Sequence, residues 1–193
     1  MNVLVVGLAA FLVGGFPTGV VLTRRRYGID VREIGSGNTG ATNVTRVFGW
    51  GAGTAVFLVD FLKGYVPIWW VHSRLPEQPV LVPVVGTALV LGHCYSVFLK
   101  FRGGKGVATS VGALAAVVPL AAAAGAVTYV VALVTTKISA VGSLAGLLAV
   151  VLYAGFVDRP PLSVLYLVGA IAVIVLVRHK PNIERLLRER KKP

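Results

Sequence analysis

Apolar runs of membrane-spanning length take up most of this chain and leave it few possible folds. Val3–Leu22 is about 20 residues, or roughly 30 Å of helix, which matches the hydrocarbon thickness of a bilayer. Trp50–Val71 is similar, although Asp60 and Lys63 interrupt it, and Val80–Phe98 follows with His93 near its end. Val107–Thr136 contains no charged residue, and as one helix it would reach about 45 Å and overshoot the bilayer. Pro119 lies inside it, so the run divides into a short helix before Pro119 and a longer one from about Leu120. Ile138–Val157 and Leu162–Val177 complete the set. The expected fold class is all-α: an integral membrane bundle of seven transmembrane helices, in one domain over residues 1–193. Only 13% of residues are charged, against about 25% in water-soluble domains. Asn2–Leu22 has no positive leading region and no small-residue cleavage site, so it reads as a retained first span.

The charges orient the bundle. There are 19 Lys and Arg against 7 Asp and Glu, for a net charge of +12. With the loop after the first span placed inside, Arg24, Arg25, Arg26, Arg32, Arg46, Lys100, Arg102, Lys105 and Lys137 all fall inside, as does every basic residue of Arg178–Lys192. Only Arg74 and Arg159 fall outside, and Lys63 lies within a span. That imbalance places the N-terminus outside and the C-terminus in the cytoplasm. Fusing Val107–Thr136 into one span would send the later basic loops outside, so seven spans are favoured over six. A soluble protein this basic would suggest nucleic acid. Here the charges sit between and after apolar runs, with no basic helix or RNA-binding signature, so the expected partners are membrane lipids and phosphorylated substrates, not nucleic acid. The tail Arg185–Lys192 reads as a basic end lying on anionic lipid. The lone Cys94 excludes an internal disulfide and a multi-cysteine metal site, and reads as a small buried hydrophobe.

Three polar segments break this pattern, and all fall on the inside face: Ile34–Arg46 (IGSGNTGATNVTR), Lys100–Thr109 (KFRGGKGVAT) and Arg178–Asn182. Polar backbone beside a bilayer persists where it lines a site or a watery mouth, so the three together suggest one site. Gly35–Gly40 matches G-x-G-x-x-G with Asp60 20 residues on, but a dinucleotide site needs a βαβ context, and Asp60 falls within the expected span Trp50–Val71. A glycine-rich turn alone would not account for Ser36, Asn38, Asn43 and Arg46. Glycines do let backbone N–H groups approach an anion. The second segment resembles a phosphate loop only loosely, since Leu99 stands where the first glycine should be and Gly106 follows Lys105. What remains is Gly103, Gly104, Lys105 and Gly106 leading into a helix N-terminus, which favours an anion; the plainer reading is an ordinary basic inside loop.

His93 and His179 each sit near the inner end of a span, where a histidine is often only an interfacial donor; His72 reads as interfacial on the outer side. If the last helix continues through Pro181, His179 and Asn182 share a face. Asp60 and Lys63, three apart in a span, are either a functional pair or a structural one. Gly142 and Gly146 read as helix packing. No Ser-His-Asp or Cys-His arrangement is evident, and the membrane acyltransferase pattern H-x4-D is absent. No cofactor or metal is implied. A multi-anion site without a nucleophile suits transfer between two phosphate-bearing substrates by positioning and charge neutralisation. The rival readings are a transporter of a phosphorylated metabolite, for which Asp60 and Lys63 would line the path, and a lipid-binding scaffold.

Five motifs carry a family resemblance: Ser36-Gly-Asn-x-Gly-Ala-Thr-Asn43; Asp60-Phe-Leu-Lys-Gly64 with Pro67; Gly92-His93; Gly103-Gly-Lys-Gly-Val-Ala-Thr109; and Arg178-His-x-x-Asn-Ile-x-Arg-Leu186. In this order, over the whole chain, they resemble the bacterial acyl-phosphate:glycerol-3-phosphate acyltransferase family, PlsY. The resemblance implies transfer of a fatty acyl group from acyl phosphate to the 1-hydroxyl of sn-glycerol 3-phosphate. The products are lysophosphatidic acid and phosphate, as the first committed step of phospholipid synthesis. It also implies a functional link to the soluble enzyme that makes acyl phosphate, and a multi-pass protein of the cell inner membrane whose active site faces the cytoplasm. Carried onto matching positions, Ser36, Arg46 and Lys105 would hold phosphate, and His179 and Asn182 would orient the glycerol. Asn38, Asn43 and the Gly103–Gly106 backbone would shape the loops, with Gly37, Thr39, Lys63, His93, Thr109 and Arg178 also lining the substrates. The family pattern expects a proline where this chain has Ser96, a departure that bears on loop shape more than on chemistry.

Overall fold

The computed structural model describes residues 2–189, and among these there are nine α-helices and no strand. The first membrane-length stretch, Val3–Tyr27, is two helices, α1 (Val3–Gly15) and α2 (Thr18–Tyr27). The expected uninterrupted span Val3–Leu22 is therefore corrected. Pro17 has no N–H to continue the ladder and drives Phe16 to φ −55°, ψ 120°, outside the helical region. After a loop comes the short α3 (Ala41–Phe48), then α4 (Trp50–Arg74), which runs unbroken through Asp60, Lys63 and Pro67.

α5 (Leu81–Cys94) is followed by a 3-10 turn at Val97–Leu99. The division at Pro119 is present: α6 (Val107–Ala115) precedes it, and α7 (Pro119–Thr136) carries the proline at its first turn, where no N–H is needed. α6 has nine residues, about 14 Å, and is half a span. Six stretches are thus long and apolar enough to cross a membrane, with α6 as a half-length seventh. α8 (Ser139–Tyr153) ends in a π-helical turn, and α9 (Leu162–Glu189) continues well past Val177, through Pro181. A proline inside a membrane helix removes one ladder bond, which the rest of the turn tolerates. Arg190, Lys191 and Lys192 of the basic tail lie outside the described residues.

α5 forms the centre of the bundle, with Leu81, Leu89 and Val90 fully buried between α1, α4 and α9. Small residues allow the close approaches: a side chain on Gly14 of α1 would strike the backbone of Leu89, and one on Gly92 of α5 would strike the carbonyl of Phe11. Where α4 crosses α6, Gly64 lies against the backbone of Thr109, and Gly112 against the carbonyl of Phe61. Gly142 lies against Tyr129 and Gly146 against Gly125, so that spacing does serve helix packing, within the α7–α8 hairpin. Large apolar side chains such as Leu4, Val127, Val134 and Tyr166 point outward.

Contacts between loops gather the polar segments at one end of this bundle. Thr42 of α3 lies 3.3 Å, hydroxyl to hydroxyl, from Ser139 at the start of α8. Arg178 of α9 donates to the carbonyls of Gly103 and Gly104.

Candidate active site

The first loop is organised by one buried side chain. Asn43, in the first turn of α3, donates through Nδ2 to the carbonyls of Val31, Ile34 and Asn38 at 3.0–3.1 Å, and its Oδ1 accepts from the Ser36 N–H at 2.8 Å. Gly35 and Gly37 sit at φ +62° and +68°, and a Cβ on Gly35 would strike Asn43 Oδ1. Asn38 Oδ1 accepts from the Gly40 N–H at 2.9 Å and tightens the entry to α3. Asn38 and Asn43 thus shape the loop, while Ser36 and Arg46 are left exposed beside it. Upstream, Asp30 is buried and paired with Arg32 at 2.6 Å and Arg24 at 2.8 Å, and those guanidinium groups hold its carboxyl down at about 2.

The second loop is held from outside. The Gly103 N–H donates to Cys94 O at 3.2 Å and the Gly104 N–H to His93 O at 3.1 Å, both at the end of α5. On its other side, Arg178 Nε donates to Gly104 O at 3.1 Å and its Nη2 to Gly103 O at 3.2 Å, with the guanidinium 5.0 Å over the Tyr95 ring. These two residues must be glycine because a Cβ on Gly103 would meet His93 O, and one on Gly104 would meet the His93 ring, with Thr39 Oγ1 3.0 Å away. This refines the sequence expectation: the Gly103 and Gly104 N–H groups are engaged within the protein. The donors left for an anion are the first turn of α6, capped by Gly106 at φ +81°, and the side chain of Lys105.

Thr39 and Gly104 are the point where the two loops touch. Lys105 is half-buried there, and burial together with the charges of Arg185, Arg178 and Arg46 holds its ammonium below the usual lysine value. Among the described residues, Arg46, Lys105 and Arg178 have no carboxylate partner within ion-pair distance. A cluster of cations that depresses one of its own members is stabilised by an incoming anion. His179 is buried with Nδ1 2.8 Å from Val175 O; a carbonyl only accepts, so Nδ1 carries the proton and the neutral ring offers Nε2 as an acceptor. Because α9 stays helical through Pro181, Asn182 shares a face with His179.

A second polar group lies deeper. Asp60 and Lys63 form a buried pair at 2.7 Å. Asp60 Oδ1 accepts from Thr18 Oγ1 at 2.8 Å, and Lys63 donates to Phe16 O at 3.2 Å. Buried His93 has Nδ1 3.4 Å from Thr109 Oγ1 and 3.9 Å from Asp60. Sequence reasoning missed the helix break at Phe16–Pro17 and the hydroxyl of Ser96, which donates to Gly15 O at 2.5 Å. The proline inside the first apolar run was the available signal. A polar cavity of about 10 Å³, near the size of one water, is lined by Thr18, Thr39, Asp60, His93 and Ser96 with neighbouring backbone. It shares Phe16 with an apolar groove of about 450 Å³ bounded by Leu12, Val13, Val59, Lys63 and Phe98.

Residues 4–189 match the family described as Glycerol-3-phosphate acyltransferase. The chain belongs to that family. Among its glycerol-3-phosphate acyltransferase relatives, that of Anaeromyxobacter sp. (strain Fw109-5) is 47% identical over 98% of this chain and 95% of that protein. The one from Myxococcus xanthus (strain DK1622) is 46% identical over 94% of each. The fold superposes with a TM-score of 0.92 on the crystal structure of PlsY, an integral membrane glycerol 3-phosphate acyltransferase, in its glycerol 3-phosphate form. That pair is 35% identical over 100% of this chain and 95% of the other, and the lysophosphatidic acid form gives 0.91. The resemblance read from the five motifs is borne out as membership of the glycerol-3-phosphate acyltransferase family.

Proposed function

We propose that this protein transfers a fatty acyl group from acyl phosphate to the 1-hydroxyl of sn-glycerol 3-phosphate, at the cytoplasmic face of the inner membrane, with the N-terminus outside and the C-terminus inside. The observation that carries this reading is the convergence of Arg46, Lys105 and Arg178 on the contact between the two loops, unpaired by carboxylates among the described residues. Ser36, Arg46 and Lys105 take phosphate, together with the N–H groups of the α6 first turn. His179 Nε2 and Asn182 orient the glycerol hydroxyls. The groove along α1 and α4 takes the acyl chain, since it is apolar, opens among the exposed side chains Leu12, Val13, Val59 and Phe98 and abuts the polar residues.

Acyl phosphate is a mixed anhydride with a good leaving group, so the nucleophile needs little activation. The C1 oxygen of glycerol 3-phosphate bonds to the acyl carbon as the bond from that carbon to the phosphate oxygen breaks. The hydroxyl proton passes to substrate phosphate, with no dedicated protein base. The cationic loops stabilise the charge that develops as phosphate departs. Against a transporter stands the closure of Asp60 and Lys63 on each other and on the α1–α2 junction.

The test is incubation of purified protein with acyl phosphate and labelled glycerol 3-phosphate without coenzyme A. The expected result is labelled lysophosphatidic acid and phosphate in equal amounts. Uptake of glycerol 3-phosphate into proteoliposomes without acylation would overturn the reading in favour of transport.

A further inference from the structure

The first membrane-length stretch is broken inside the bundle, and broken backbone at that depth needs partners. Two side chains from other elements supply them, and a third holds the side chain just beyond the break. Ser96 donates to Gly15 O, Lys63 donates to Phe16 O, and Asp60 accepts from Thr18 Oγ1 while pairing with Lys63. All three are buried. The break is also the place where two spaces meet. Phe16 lines both the polar cavity and the apolar groove, Asp60 faces the first and Lys63 the second. Directly beyond the break, Gly19 packs so closely on Thr39 O that a side chain could not fit, and Thr39 is the residue that touches the second loop at Gly104. The position of the break therefore fixes where the first loop stands relative to the groove.

We infer that Asp60, Lys63 and Ser96 are positioning residues for acyl transfer, locking the Gly15–Thr18 break so that an acyl group emerging from the groove meets glycerol 3-phosphate and not water. This rests on the proposed acyl-phosphate reaction. In productive transfer the attacking oxygen comes from glycerol 3-phosphate, and the products are lysophosphatidic acid and phosphate. In the side reaction water supplies that oxygen, and the products are fatty acid and phosphate. A misplaced acyl carbon shifts the partition between the two, because small displacements cost transfer steeply and a loosened site admits water.

The readout is the ratio of fatty acid to lysophosphatidic acid formed from acyl phosphate by full-length protein in detergent. Lys63→Met and Asp60→Asn are expected to raise that ratio by roughly fivefold or more, with Lys63→Arg, which keeps a donor and the charge, closer to wild type. Ser96→Ala removes one hydroxyl, leaves the ion pair intact, and is expected to raise the ratio by about twofold; it serves as the reading if the charge variants do not yield folded protein. A purely structural role would lower the thermal midpoint and the active fraction while leaving the ratio unchanged, and that result overturns the inference. Wild-type protein that makes no lysophosphatidic acid would instead overturn the proposed reaction.

Discussion

The two glycine-rich loops look alike in sequence and are closed in opposite ways. Residues 34–40 are closed locally, by the amide of Asn43 a few residues along the same chain. Gly103–Gly104 is closed by distant elements, the end of α5 on one side and Arg178 of α9 on the other. A loop closed locally keeps its shape so long as its own short segment is intact. A loop closed tertiarily is only as ordered as the packing of the helices that hold it. The two can therefore be broken independently.

The largest effect is expected from Lys105→Ala, which removes the half-buried charge at the contact between the loops. Its kcat/KM should fall by about 10²-fold or more with little change in thermal midpoint, measured by steady-state assay and calorimetry. Asn43→Asp comes next. It keeps the shape but turns acceptor oxygens toward the carbonyls of Val31, Ile34 and Asn38, a cost of about 1–3 kcal/mol for each lost buried partner. Amide exchange should accelerate over residues 31–40 while Gly103 and Gly104 stay protected. Arg178→Lys reverses that pattern. It retains the charge but loses the two-pronged bond and the fit over Tyr95, so the KM for glycerol 3-phosphate should rise a few-fold, with exchange accelerated at Gly103 and Gly104 only.

The smallest effect is the pH dependence around Asp30. Its carboxyl titrates at about 2 when folded against 3.8 otherwise, so its contribution is fully present above pH 3.8 and is lost as pH falls toward 2. Asp30→Asn should therefore lower the thermal midpoint slightly at pH 7, with the difference from wild type shrinking in strong acid.

Much of the fold was legible because span length and apolar composition are local properties. The division at Pro119 was visible in the same way, from a run too long for one helix. The break at Phe16–Pro17 had only Pro17 to mark it, because the run around it is of single-span length and gives no reason to divide. What stabilises it are Lys63 and Ser96, 47 and 81 residues away in sequence. The extension of α9 was hidden for a related reason: beyond Val177 the residues turn polar, and the proline at 181 resembles a stop. At the site, residue types and spacing brought the three polar segments together. They did not show that the Gly103 and Gly104 N–H groups are already bonded to α5, since that depends on which carbonyls the end of a distant helix presents. The departure at Ser96 likewise acquires a meaning only once Gly15 O is seen beside it.

The central claim is that both loops build one anion site. A double-mutant cycle tests it: Arg46→Ala, Lys105→Ala and the double variant, each assayed for kcat/KM with glycerol 3-phosphate. Two cations on one site should be strongly non-additive, with a coupling energy of about 1 kcal/mol or more. Strict additivity of the two losses would contradict the account.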